Sequence, residues 1–210
     1  VITSATAEGR TAKLIIVGTI PVVLVGLTLS KWLKATFYHP HAIAWVAILF
    51  ALLMATAEWW AARRRHNGLP ERGDTELTWG DAILVGCFQA LALMPGGSRS
   101  GTTITAGLFA GLARPTAARF SFVLSLPSIL AAGVKEIYDW LKDADLASDQ
   151  LREQAAAMLV GGIVSAIVGY LSIAWLLQYL RVNSMLVFVW YRLILGATIL
   201  ALIASGFIAS

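Results

Sequence analysis

The segment Pro95-Gly96-Gly97-Ser98-Arg99-Ser100-Gly101-Thr102-Thr103 combines three kinds of group that hold a phosphate. Gly96, Gly97 and Gly101 let backbone N–H groups approach a ligand closely and allow positive φ. Ser98, Ser100, Thr102 and Thr103 add hydroxyl donors. Thr102 or Thr103 stands where it could cap a following helix, turning the positive end of that helix's dipole toward the turn. Arg99 supplies a planar fork that matches phosphate oxygens. Together they describe an anion site, most simply one for phosphate. The alternative is an arginine that caps helix C-termini or pairs with a buried carboxylate. An intramembrane charge is costly and usually functional, which favours the anion site.

Gly96 to Thr103 also reads G-x-x-x-x-G-T-T, one residue away from the nucleotide-binding G-x-x-x-x-G-K-S/T. The lysine is absent, no strand precedes it, and the helix that follows is uniformly apolar, so a nucleotide loop is excluded. The acid phosphatase superfamily pairs Ser-Arg with a histidine and an aspartate, and this segment has neither. No general base lies within it.

These groups sit in a chain built for a bilayer. It is 58% hydrophobic and 13% charged, with a mean hydropathy of +0.75, whereas soluble domains hold about 25% charged residues. The isoelectric point is near 9.5, yet the net charge is only +4. The basic residues flank apolar runs, as membrane anchors do, and no basic face for nucleic acid is present. The single cysteine, Cys87, excludes an intramolecular disulfide framework.

A nearly uncharged run of about 20 residues crosses a hydrocarbon core of about 30 Å. Runs at 14–30, 42–62, 120–134 (starting nearer Pro115), 155–177 and 185–208 meet that requirement, with Pro21 and Pro127 inside two of them. Residues 81–94 and 102–112 do not, since at 1.5 Å per residue they span roughly 21 and 17 Å. Two half-helices joined by the glycine-rich turn make a re-entrant hairpin at 81–112; the alternative is one full span broken by a kink. Non-helical backbone at that depth must be buried in protein or line a wet cavity. The expected fold is all-α, an integral membrane domain over 1–210 with a polar segment at 1–12, about five transmembrane helices and one hairpin. The loop from Arg63 to Gly80 has four basic residues and reads as cytoplasmic, so a hairpin would enter from inside. The loop at 135–153 then lies outside.

Other polar residues carry weaker signals. Gln89, on the first half-helix, faces either the anion site or a neighbouring helix. Arg192, roughly 12 Å into the last span, either pairs with a carboxylate or lipid phosphate or snorkels to the interface. Glu58 reads as an interfacial partner of the Arg63 cluster, and His39 and His41 as interface residues. Gly161, Gly162, Ser165 and Gly169 form a small-residue packing face.

The nine-residue segment resembles the P-G-x-S-R-S-x-x-T signature of the undecaprenyl-diphosphate phosphatase family, the bacitracin-resistance lipid phosphatases. "IPVVLVGL" (20–27), "AEWW" (57–60), "GCFQALALMPG" (86–96), "ARFSFVLSLP" (118–127) and "YRLILGA" (191–197) resemble family segments in the same order. The resemblance implies hydrolysis of undecaprenyl diphosphate to undecaprenyl phosphate and inorganic phosphate. It also implies a multi-pass protein of the bacterial cytoplasmic membrane with its site toward the outer face, although loop charge puts the hairpin's entry inside. Arg99 and Ser98 would act in catalysis, with Gly96, Gly97, Ser100, Thr102, Thr103 and Gln89 binding substrate. A lipid transporter or flippase using the same head-group site is the alternative, and a homodimer is open. The family's second signature, of the type E-G-x-x-E-x-x-P-V-S-S-T-G-H, has no match here. The sequence is therefore expected to begin just before the family's second full span and to hold half of an inverted-repeat architecture. The ligands of the divalent cation (Mg or Ca) that the resemblance implies would lie in that other stretch, and this segment alone is expected to be inactive.

Overall fold

In the bilayer a helix satisfies its own backbone, so apolar length decides which segments cross and which turn back. The computed structural model describes residues 7–143 and 149–208, and all its regular elements are helices. Five are long and apolar enough to cross a membrane: α1 (Ala7–Phe37), α2 (Pro40–His66), α5 (Arg114–Asp143), α6 (Asp149–Tyr179) and α7 (Leu186–Ala204). They coincide with the five expected spans. Two of them take in residues read from sequence as polar flanks. Helix α1 includes residues 7–12, the rest of the 1–12 segment lying outside the described residues. Helix α5 runs to Asp143, shortening the loop expected at 135–153.

Between α2 and α5 lie two short helices, α3 (Trp79–Leu91) and α4 (Arg99–Phe109). At 13 and 11 residues they reach roughly 20 and 17 Å, too little to cross. The two ends of the pair meet at Arg72. Its guanidinium is bidentate to Asp81 at the start of α3, at 2.7 and 2.9 Å, and also donates to the carbonyl of Ala110 at the end of α4. Its backbone N–H donates to Gly111 and its carbonyl accepts from Ala113, both at 3.0 Å. Thr78 caps α3 through a reciprocal box with Asp81. Burial tends to raise the Asp81 carboxyl, but the Arg72 guanidinium and the Thr78 donors outweigh it and hold the group below its ordinary value. Entry and exit therefore lie at one membrane face, and α3–α4 is a re-entrant hairpin. Labelling checks this. Cysteines from Gly80→Cys and Ala113→Cys, each in a Cys87→Ser background, should react with a membrane-impermeant maleimide from the same side.

The hairpin is wrapped by protein. Residues 101–108 of α4 are all buried, among α2, α3 and α5. Helix α3 crosses α1 where glycines meet: a Cβ on Gly86 would lie 2.2 Å from the Gly18 carbonyl oxygen. The core, with Leu14, Met54, Ile104, Leu108 and Leu124 fully buried, sits around the two half-helices. The small-residue face of α6 is bare: nothing lies within 4 Å of a Cβ built on Gly161, Gly162 or Gly169.

At the hairpin's entry face the long helices are tied together by a buried carboxylate. Glu58, 4% exposed, accepts from Arg114 Nε at 2.9 Å and Nη2 at 2.5 Å, and from the Met185 N–H at 2.8 Å. It thus joins α2, α5 and the start of α7. The interfacial pairing with the Arg63 cluster expected from sequence is replaced, because Arg114, distant in the chain, is brought alongside by the hairpin's return. The same face gathers Arg10, Lys13, Arg63, Arg64, Arg65, Arg72, Arg114, Arg119 and Arg181, whereas Lys31, Lys34, Lys135, Lys142 and, by its place near the start of α6, Arg152 mark the opposite face among the described residues.

Candidate functional site

The hairpin's tip is shaped by Gly96 and Ser98. Gly96 has φ +88°, and a Cβ there would lie 2.6 Å from the Ile43 carbonyl oxygen, so the turn rests directly on α2. Ser98 has φ 31°, the one positive value among the described non-glycine residues. Such backbone costs on the order of 1–3 kcal/mol and gathers at functional sites. Ser98 occupies the N-cap of α4 but makes no capping bond with its side chain. The N–H groups of Arg99, Ser100 and Gly101 therefore have neither an intrahelical acceptor nor a cap, and the positive end of the helix dipole faces the tip.

Thr102 and Thr103 do not cap α4, because the N-cap position is taken by Ser98 and both threonines lie inside the helix. Both are 1% exposed. The Thr102 hydroxyl donates to the Gly97 carbonyl. That of Thr103 bonds to the Arg99 carbonyl at 2.8 Å and shares a hydrogen bond with Ser121 of α5. Their hydroxyls brace the turn and lock it to α5, while Ser98 and Ser100 remain accessible.

Arg99 leaves the first turn of α4 toward α5, where its guanidinium donates to Ser128. Gln89 of α3, 1% exposed, approaches the same oxygen at 3.5 Å through Nε2, and its Oε1 is buried without a partner. On the other flank of the turn stands Arg192 of α7. It does not snorkel and meets no carboxylate among the described residues: it is 8% exposed, and its Nη1 is buried with no partner there. Its guanidinium packs against Gly101, where a Cβ would lie 2.6 Å from Nη2. Gly101 leaves room for this approach; a Cβ there would push back the ends of the Arg192 and Met54 side chains.

Two cavities meet at this turn. One of about 430 Å³ is lined by Arg99, Ser100, Ser121 and Ser125, with Leu126, Ile129 and Ile173 forming apolar walls. A small pocket of about 60 Å³ is bounded by Ser98, Ser100, Gly101 and Arg192. A third cavity, of about 730 Å³, runs from Arg99, Gln89 and Ser128 along α1 and α5 to Lys135 and Glu136. Two guanidinium groups, uncapped N–H groups and hydroxyls converge, and neither of the two cavities meeting at the turn has an acidic lining residue. Such a site can bind a multiply charged anion and neutralise charge on phosphoryl oxygens. It has no general base. Among the described residues no cluster of three His, Cys, Asp or Glu side chains could hold a metal ion. The site's cationic and hydroxylic side chains do not fit the divalent cation that the resemblance implies.

Ser121 and Ser128 escape a motif-based reading, although their spacing with Ser125 on one face of α5 is a detectable signal. Arg192 was visible as an intramembrane charge, but its direction was not.

The chain matches the family described as bacitracin resistance protein BacA over residues 2–198. It belongs to the BacA family. Its relatives there include the undecaprenyl-diphosphatase of Chlorobium phaeobacteroides (strain BS1), 41% identical over 203 residues, which cover 97% of this chain and 71% of the relative. Those of Chlorobaculum tepidum and Chlorobium limicola are 43% and 44% identical over 201 residues, each match covering 96% of this chain and 70% of the relative. With five helices able to cross, this BacA-family member is a multi-pass membrane protein.

Proposed function

We propose that this protein hydrolyses undecaprenyl diphosphate to undecaprenyl phosphate and inorganic phosphate, returning the lipid carrier to cell-wall polysaccharide synthesis. The observation that carries this reading is the pair of arginines, Arg99 and Arg192, on opposite flanks of one uncapped helix N-terminus. A diphosphate head has two phosphate groups to neutralise, and Ser100 lines both cavities between the two cations. The apolar walls beyond suit an isoprenyl chain. Family membership and the relatives' shared activity support the same substrate. The described residues supply binding and charge neutralisation, with Ser98 and Arg99 at the reacting phosphate. They supply neither base nor cation ligand, and the proposal derives no step through either.

The proposal also sets the site's orientation, in the bacterial cytoplasmic membrane. The more basic face, nine residues against five, is the cytoplasmic one. The hairpin enters there, but its roughly 20 Å half-helix carries the tip past the midplane. The cavity of about 730 Å³ leads from Arg99 toward Lys135, on the opposite face. In this reading, entry from inside and opening to the outside are compatible.

The assay is phosphate release by the purified complete gene product from undecaprenyl diphosphate in detergent micelles, with the monophosphate lipid followed in parallel. One phosphate released per lipid converted is expected. Movement of phosphorylated lipid across vesicle membranes without phosphate release would instead establish the transporter alternative.

A further inference from the structure

Ser128 has a single hydroxyl proton, and it donates that proton to the Ser125 carbonyl at 3.0 Å. Toward Arg99 and Gln89 it can then only accept. It does so from both: the Arg99 guanidinium and, at 3.5 Å, the Gln89 amide converge on one oxygen. Pro127 precedes it inside α5; lacking an N–H, proline leaves the carbonyl four residues back without its helical partner. Ser128 is the only side-chain partner of the Arg99 guanidinium among the described residues. Arg99 also stands at the boundary between two cavities, lining both. A long, mobile side chain at such a junction has two volumes to wander into.

We propose that Ser128 is a positioning residue for the hydrolytic site. Resting on the phosphatase reading above, it tethers the Arg99 guanidinium at the cavity junction and holds the Gln89 amide beside it. A tether that accepts hydrogen bonds without carrying charge leaves the guanidinium's full positive charge for phosphate. An acidic residue at 128 would instead compete with the substrate for Arg99. The neighbouring Ser121 bonds Thr103 on the same helix pair. Helix α5 thus fixes the first turn of α4 at Ser121 and the arginine's tip at Ser128.

The test compares Ser128→Ala and Ser128→Thr in the complete gene product. Loss of the tether misplaces a charge-neutralising group without removing it, so kcat should fall about tenfold in Ser128→Ala. KM and the melting temperature should stay close to wild type, and Ser128→Thr should restore kcat because it returns the hydroxyl. A readout independent of turnover is the ¹⁵N spectrum of the arginine side chains in micelles, with Arg99 assigned through Arg99→Lys. Rotation of the Arg99 guanidinium should be hindered in wild type and free in Ser128→Ala. Unchanged kcat, a loss not rescued by threonine, or free rotation already in wild type would each overturn the proposal. If wild type itself released no phosphate, the functional reading would fail while the rotation of Arg99 still decided the tether.

Discussion

Replacing Arg99 with alanine should lower kcat/KM for phosphate release by about a thousandfold, in line with the loss of an arginine that stabilises phosphoryl transfer. The effect should appear chiefly in kcat, because Arg192 and the uncapped N–H groups of α4 still hold the ground-state head group. The protein should insert and melt as wild type, since Arg99 is half-buried and its guanidinium bonds only Ser128 among the described residues. Arg99→Lys should recover little, because a point charge on a flexible stem cannot present two parallel donors. Initial-rate phosphate assays on membranes with matched protein levels measure this. Near-normal turnover in Arg99→Ala would remove Arg99 from the site.

The largest effect on stability is expected at Glu58, far from the chemistry. In Glu58→Ala the Arg114 guanidinium, 18% exposed, loses its carboxylate, and the Met185 N–H loses its acceptor. Breaking a buried pair from one side costs roughly 3–5 kcal/mol, and the stranded N–H adds about 1–3 kcal/mol. Denaturant titration in micelles, followed by Trp fluorescence, should show that loss. The double variant Glu58→Leu with Arg114→Leu should recover much of it, since apolar replacement of both partners removes the unpaired charge. If Glu58→Ala were as stable as wild type, the carboxylate would not be the fastening that joins α2, α5 and α7.

Span length read the architecture because apolar length is a local property. Thirteen and eleven helical residues cannot cross 30 Å, and the hairpin follows from that arithmetic before any contact is known. The turn proposed to hold the head group was legible for the same reason, as its glycines, hydroxyls and arginine are consecutive. What escaped depends on which helix faces which. Glu58 finds Arg114 rather than the nearby Arg63 because the returning hairpin delivers the start of α5 beside α2. Arg192 turns inward because Gly101 opens a place for it. Thr102 and Thr103 were misread as caps because Ser98 adopts a strained φ and starts α4 early, which no propensity at that position indicates. Ser128 carries no motif at all, and its role arises from α5 lying against α4.

The central claim, a diphosphate head held on the first turn of α4 between two arginines, is tested most directly by a structure with ligand bound. The ligand is an isoprenyl methylene-diphosphonate, which cannot be hydrolysed, soaked into the complete gene product. One phosphorus should lie within hydrogen-bonding reach of the Arg99 guanidinium and the other beside Arg192, with the N–H groups of Ser100 and Gly101 directed at their oxygens. A head group bound elsewhere, out of reach of the Arg99 guanidinium and with Arg192 still unpartnered, would contradict it.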